Sequence, residues 1–212
     1  ITEGFTLQYT WYVPHDVQGY INEAGEDLLR ERLDSMFVTQ MADNIPGAHD
    51  IQGRVGAYWH GNEPCHQILY FYNYLKQPWK CQEKVRYIMD TFYGNKPDAL
   101  SGNDDCGQMS AWYILAASGI HPSCPGNTRM EITSPVFDKV EFNLDSKYHQ
   151  GKVFTIIAHN NNTNNLYIQK ALLNGKEYNK CYLDFAEIAA GGTLELFMGD
   201  KPNTEWGVLS NI

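Results

Sequence analysis

Apolar residues along the chain follow two different periods. Between residues 12 and 118 they recur at helical spacing, and after Pro125 they alternate with polar residues. The first part predicts five helices. "PHDVQGYINEAG" places Pro14 near the first helical position and Gly25 at the end. "GEDLLRERLDSMF" sets Leu28, Leu29, Leu33, Met36 and Phe37 on one face. After a Pro/Gly/Asp-rich stretch at 43–57 come "PCHQILYFYNYL", opened by Pro64, and "PWKCQEKVRYIMDTFY", opened by Pro78. "CGQMSAWYILAASG" closes the set at Gly119, with Pro122 beyond it. The second part predicts short strands in "MEITSP", "KVEFNL", "KVFTIIAH", "NLYIQKALL", "KEYNKCYL" and "TLELFMG". Asn174-Gly175 is a hairpin signal, "NNNTNN" at 160–165 a polar loop, and "DFAEIAAGG" a short helix with a glycine stop. The expected class is α+β, with a boundary near 122–130 between a helical region and an antiparallel β region.

The alternation of helices and connections adds a functional expectation. If successive helices run up and down, the first, third and fifth start at a common end. Polar clusters precede those three: "TEGFTLQYTWYVPHD", "YWHGNEP" and "LSGNDDCGQ". The second and fourth are preceded only by "AGED" and "LKQPW". The clusters should therefore converge on one face, bringing together Glu3, Gln8, His15, Asp16, His60, Asn62, Glu63, His66, Asn103, Asp104 and Asp105, with Trp11, Trp59 and Trp112 nearby.

Composition narrows what such a face can bind. The 212 residues are 43% hydrophobic and 13% aromatic, which is globular. The formal charge of −9, with no basic patch, argues against nucleic acid and anionic membranes and suits neutral substrates or cations. No run of about 18 apolar residues is present, so no membrane-spanning segment is expected. The opening "ITEGFTLQYTW" reads as mid-domain sequence without a signal peptide, and a fragment of a longer protein is expected. Cys65, Cys81, Cys106, Cys124 and Cys181 form no CxxC pair, which disfavours zinc, thioredoxin-like chemistry and a disulfide framework.

Two carboxylates across a pocket suffice for glycoside hydrolysis, one as acid and one as base. Amide and carboxylate oxygens without cysteine form a hard-oxygen site that suits calcium. A helix N-terminus favours an ionised base at Asp104 or Asp105, whereas Glu3, on an extended segment, suits the acid. Each cluster also has a plain structural role open to it. Asp104, Asp105 and Asn62–Glu63 can cap helices, His60 and His66 can be satisfied core histidines, and the tryptophans can be core. What favours function is the recurrence at every second helix start.

The segments "EGFTLQYTWYVPHDVQG", "GNEPCHQILYFYNYLKQPWK" and "LSGNDDCGQMSAWYILAASGIHP", with "SPVFDKVEF", "NGKEYNK" and "GGTLELFMG" further on, closely resemble glycoside hydrolase family 92 over essentially the whole chain. The resemblance implies a calcium-dependent exo-acting α-mannosidase that inverts configuration. It implies that residues 1–125 are the C-terminal half of an (α/α)6 toroid and 126–212 a β region beside it. An N-terminal domain, absent from this chain, would complete the pocket, so the chain alone is expected to be inactive. By resemblance, Glu3 is the general acid and Asp105 the base, with Asp104 the alternative. Asn103 stands where some members carry an assisting aspartate. Gln8, Asn62, Glu63 and Asp105 form the calcium set, and His60, Asn103 and Trp59 are the expected substrate contacts. The implied partner is a mannose-containing glycan, most often α-1,2-linked, and the implied location is periplasmic or secreted. Two other readings stand beside it: a carbohydrate-binding module without catalysis, and a trehalase-like or glucoamylase-like toroid hydrolase that needs no calcium.

Overall fold

The computed structural model describes residues 4–41 and 52–208. Helix α1, Thr6–Tyr9, is a single turn that the periodicity did not announce. Helix α2, Val17–Ala24, begins later than Pro14 suggested. Asp16 is its cap, with Oδ1 accepting the Gly19 N–H at 2.8 Å. Gly25, at φ 91°, separates it from α3, Glu26–Met36. Leu29, Leu33, Met36 and Phe37 are buried as expected, but Leu28 faces solvent.

The third predicted helix is broken. Glu63–Cys65 and Ile68–Tyr70 are 3₁₀ turns, and only α4, Phe71–Tyr74, is α-helical. All side chains from Ile68 to Leu75 are buried, so the segment is gripped from every side. Its winding then follows its neighbours rather than one amphipathic face. Helices α5, Pro78–Phe92, and α6, Gln108–Ser118, form as predicted, and Gly119 closes α6 in the left-handed conformation at φ 89°.

A small hairpin, β1 (Arg54–Val55) with β2 (Tyr58–Trp59), carries the start of the second polar cluster. The remaining strands form two sheets. One holds β3 (Ile120–His121), β4 (Arg129–Ile132) and β9 (Tyr182–Asp184) in that order. The other contains β5 (Lys139–Asn143), β6 (Val153–His159), β7 (Tyr167–Leu173), β8 (Lys176–Glu177) and β10 (Gly192–Gly199), in the order β5-β6-β10-β7-β8. "KEYNKCYL" is therefore not one strand: its ends enter different sheets. Nor is the β region antiparallel throughout, because β10 runs parallel to β6 and antiparallel to β7. The chain leaves a one-strand gap between β6 and β7. After the short helix α7 (Phe185–Ala189), β10 fills that gap and pairs the backbone groups that face it on both sides. Asn174 and Gly175, at φ 52° and 77°, make the predicted tight turn between β7 and β8.

Two apolar cores result, one among the helices around Trp11, Trp59 and Trp112, the other among the strands around Phe154, Leu194 and Leu196. They are joined by specific polar contacts. Asn73 of α4 donates to Glu131 Oε2 at 3.0 Å and to the Ile132 and Cys181 carbonyls. Gln82 of α5 accepts the Ile168 N–H at 2.8 Å. The architecture is thus α+β, and the chain passes directly from α6 into β3.

Candidate active site

The three polar clusters are brought together by contacts that can be followed one by one. Glu3 lies outside the described residues. In α1, Gln8 is fully buried; its Nε2 donates to the Ala57 carbonyl at 2.9 Å and its Oε1 accepts the Phe5 N–H at 3.0 Å. The Phe5 ring meets Trp59 edge-on with 4.6 Å between centroids. These contacts pin the first cluster to the hairpin that leads into the second. The second cluster in turn lies against the loop before α6. A Cβ on Gly61 would fall 2.2 Å from the Ser101 carbonyl, so only glycine permits that crossing.

Within the second cluster, residues 60–66 form a loop closed at its base. His66 Nε2 meets the His60 carbonyl at 2.9 Å. Asn62, buried, and Glu63, half-buried, occupy the tip. The third cluster reaches this loop from α6: Gln108 Nε2 donates to His66 Nδ1 at 3.2 Å and Trp112 Nε1 to the His66 carbonyl at 3.3 Å.

The two adjacent aspartates have different employment. The chain from Asp105 through Cys106 to Gly107 is left-handed at three successive residues, with φ of 45°, 60° and 92°. That turn swings Asp104 over the start of α6, where its Oδ1 accepts the Ser110 N–H and its Oδ2 the Ser110 hydroxyl, both at 2.9 Å. Asp104 is thus a helix cap acting from a distance, and it is not a free carboxylate. Asp105 is exposed, and its side chain has no hydrogen bond among the described residues. Asn103 is exposed beside it. Two non-glycine residues in the left-handed region cost about 1–2 kcal/mol each, the kind of strain found where a side chain must be aimed.

Two of the expected sugar contacts, His60 and Trp59, lie deep in the fold. His60 is fully buried, with Nδ1 against the Tyr58 hydroxyl at 2.8 Å and Nε2 against the Tyr93 hydroxyl at 2.7 Å. Trp59 is fully buried between Phe5 and the Arg54 guanidinium, which stands 4.3 Å over its ring. Among the described residues both pack into the base of the loop. The signal for this was the aromatic density on both sides of "WHGNEP". Sequence reasoning also passed over Gln108 and His121. Both line a cleft of about 390 Å³ together with Tyr12, Glu63, His66 and Gln67. Burial holds His66 down at about 4 and His121 at about 3, so the histidines of this cleft are neutral. Burial also pushes the Cys65 thiol up to about 12, which makes it an inert core residue. Cys106 is exposed and the other four cysteines are buried, and none of the five is in a disulfide.

The donor chemistry proposed for calcium fits the residues present. Gln8 offers an amide oxygen fixed by the Phe5 N–H, with a second lone pair remaining, and Asn62 offers another. Glu63 and Asp105 supply two carboxylates, so the set is all oxygen and carries two negative charges. Among the described residues no group of three His, Cys, Asp or Glu gathers at metal-binding distance, and the expected set combines two carboxylates with two amides.

Comparison with known proteins gives the class. The model of the glycosyl hydrolase family 92 catalytic domain matches residues 1–200. A structure of a family 92 α-mannosidase from Bacteroides thetaiotaomicron, solved with mannoimidazole, is 54% identical and covers 98% of this chain with a TM-score of 0.92. A second from that organism, described as an inverting mannosidase of the family, is 38% identical over 98% of the chain with a TM-score of 0.82. An uncharacterised secreted glycosidase of Arthroderma benhamiae is 30% identical over 95% of the chain. This chain belongs to glycosyl hydrolase family 92. It spans about a quarter of these relatives' length: 27% and 29% of the two bacterial chains and 24% of the fungal one.

Proposed function

We propose that this chain is the C-terminal catalytic region of an inverting, calcium-dependent, exo-acting α-mannosidase that hydrolyses α-mannosides of N-glycans or mannans, with α-1,2 linkages the first to test. In that reading residues 1–125 complete the second half of an (α/α)6 toroid, and a domain N-terminal to it in the whole protein closes the pocket. The observation that carries the reading on this chain is the division between Asp104 and Asp105: one carboxylate is spent on the helix and its neighbour is turned out, exposed, on a strained backbone. The mannoimidazole bound to one neighbour and the inverting description of another support the substrate class and the stereochemistry.

Inversion is a single displacement. Glu3 is proposed to protonate the leaving glycosidic oxygen. Asp105 is proposed to take a proton from a water that attacks the anomeric carbon from the opposite face. Room for that water requires carboxyl groups roughly 6.5–9.5 Å apart. Gln8, Asn62, Glu63 and Asp105 would hold calcium, which when bound polarises the sugar hydroxyls and favours a flattened ring. His66, neutral and buried, keeps the base of the Asn62–Glu63 loop uncharged. Location in the periplasm or outside the cell is part of the same proposal; the secreted description of the fungal relative supports export as such. Among the described residues no helix is long and apolar enough to cross a membrane.

The test is turnover of α-linked mannobioses by the complete gene product, with and without EDTA, following the product anomer by NMR. Loss of activity on chelation, rescue by calcium and release of β-mannose are expected. Activity indifferent to EDTA would remove the metal, and release of α-mannose would remove inversion. Mannose binding without any hydrolysis would leave a binding module.

A further inference from the structure

We propose that Gln108 and His66 are positioning residues, a hydrogen-bonded pair that locks the Asn62–Glu63 loop to the Asp105 turn. The kinetic consequence rests on the mannosidase reading, whereas the tie itself rests on geometry.

The two halves of the proposed site sit on separate segments. Asn62 and Glu63 are at the tip of the loop that His66 closes onto the His60 carbonyl. Asp105 is on a left-handed turn secured by backbone bonds from Gln108 N–H to its own carbonyl and from Met109 N–H to that of Asp104. Gln108 is the first residue of α6, three beyond Asp105, and its amide reaches His66, three beyond Glu63. One side-chain bond therefore joins points equally far along the chain from the two carboxylates.

The chemistry fixes how that bond is made. His66 Nε2 faces a carbonyl, so it carries the proton; Nδ1 is then bare and accepts from the Gln108 NH₂. The ring cannot rotate away. It lies against His60 with 4.8 Å between centroids, and the indole of Trp112, one turn further along α6, donates to the His66 carbonyl. Burial keeps His66 at about 4, so the accepting nitrogen stays bare at neutral pH. His60 is itself held between the Tyr58 and Tyr93 hydroxyls, and Tyr93 also donates to the Met109 carbonyl at 3.1 Å. The loop base and the start of α6 are thereby one rigid unit, with Gln108–His66 a link three residues along the chain from each carboxylate.

The experiment uses the complete gene product. Gln108→Met keeps length and removes the donor. His66→Gln keeps a donor near Nε2 and removes the acceptor, while His66→Asn keeps an acceptor near Nδ1. The first two are expected to lower kcat about tenfold or more with KM little changed, since misplacement of about 1 Å can cost as much as a hundredfold. Their double variant should be no worse than either alone, because one shared bond is lost. His66→Asn should retain more kcat than His66→Gln, and amide hydrogen exchange over residues 61–65 should quicken in Gln108→Met. Additive losses would overturn the proposal, as would folded variants with unchanged kcat and unchanged exchange. If the parent hydrolyses no α-mannoside, the mannosidase reading fails, and the exchange measurement alone decides the tie. Should Gln108→Met fail to fold, the comparison of His66→Asn with His66→Gln carries the same test.

Discussion

In the β region, buried charge is answered by buried charge. Glu131 is fully buried, and Arg129 meets it through Nε at 2.6 Å and a second nitrogen at 3.1 Å. The guanidinium lies between the Tyr74 and Tyr182 rings at 3.8 and 4.1 Å. Burial pulls the Arg129 pKa down, but the Glu131 charge and hydrogen bonds outweigh it, so the side chain stays charged. In the candidate site the buried polar groups are neutral instead: Gln8, Gln67, His60, His66 and His121. Its exposed carboxylate, Asp105, is set on a strained turn. A closed ion pair gives a fixed junction and little chemistry. Neutral buried amides and imidazoles together with an available carboxylate are what the proposed reaction calls for, an uncharged substrate and a group that can take a proton.

That contrast can be broken at several points. Asp105→Asn suits the left-handed turn and should leave the fold intact while lowering turnover of the complete enzyme by about 10²–10⁴-fold, the range for a general base. Asp104→Ala should do the reverse, costing about 0.5–2 kcal/mol in urea melts through the lost cap, with a smaller effect on turnover. Equal effects of the two on activity would erase the distinction between them. In the β region, Arg129→Met strands the Glu131 charge and should cost about 3–5 kcal/mol in the same melts. A near-neutral result would mean that the pair is not sealed from water.

The neutral histidines predict a pH dependence. The folded protein holds His66 at about 4 and His121 at about 3, against 6.5 for a free histidine. Below 6.5 the unfolded chain takes up protons that the fold refuses, so their contribution is complete above 6.5 and falls away as pH drops toward 4 and then 3. Urea midpoints measured at pH 7 and 4.5 should show the decline, and His66→Asn should flatten it. A small effect is also expected at the β7–β8 turn. A Cβ on Gly175 meets no atom within 4 Å, so Gly175→Ala should cost only the left-handed backbone, about 1–2 kcal/mol by thermal melt.

Much of this protein follows from local rules. Pro78 and Gly119 bound their helices, the Asn174-Gly175 turn is where two small residues favour positive φ, and period-two alternation marks Val153–His159 and Gly192–Gly199. The three polar clusters were legible because they recur at alternate helix starts. Other features depend on partners distant in sequence. The parallel placement of β10 between β6 and β7 answers unpaired backbone on strands far back in the chain. The unwinding of 63–70 into 3₁₀ turns reflects packing on every side. The burial of His60 and Trp59 comes from Tyr93, Phe5 and Arg54 closing around them. Asp104 and Asp105 are adjacent and chemically identical, so sequence alone determines only that a carboxylate stands before α6. Which of them caps the helix and which is turned outward is decided by three consecutive left-handed residues, a conformation favoured only at Gly107 by its own residue type and imposed on its two predecessors by the tertiary structure.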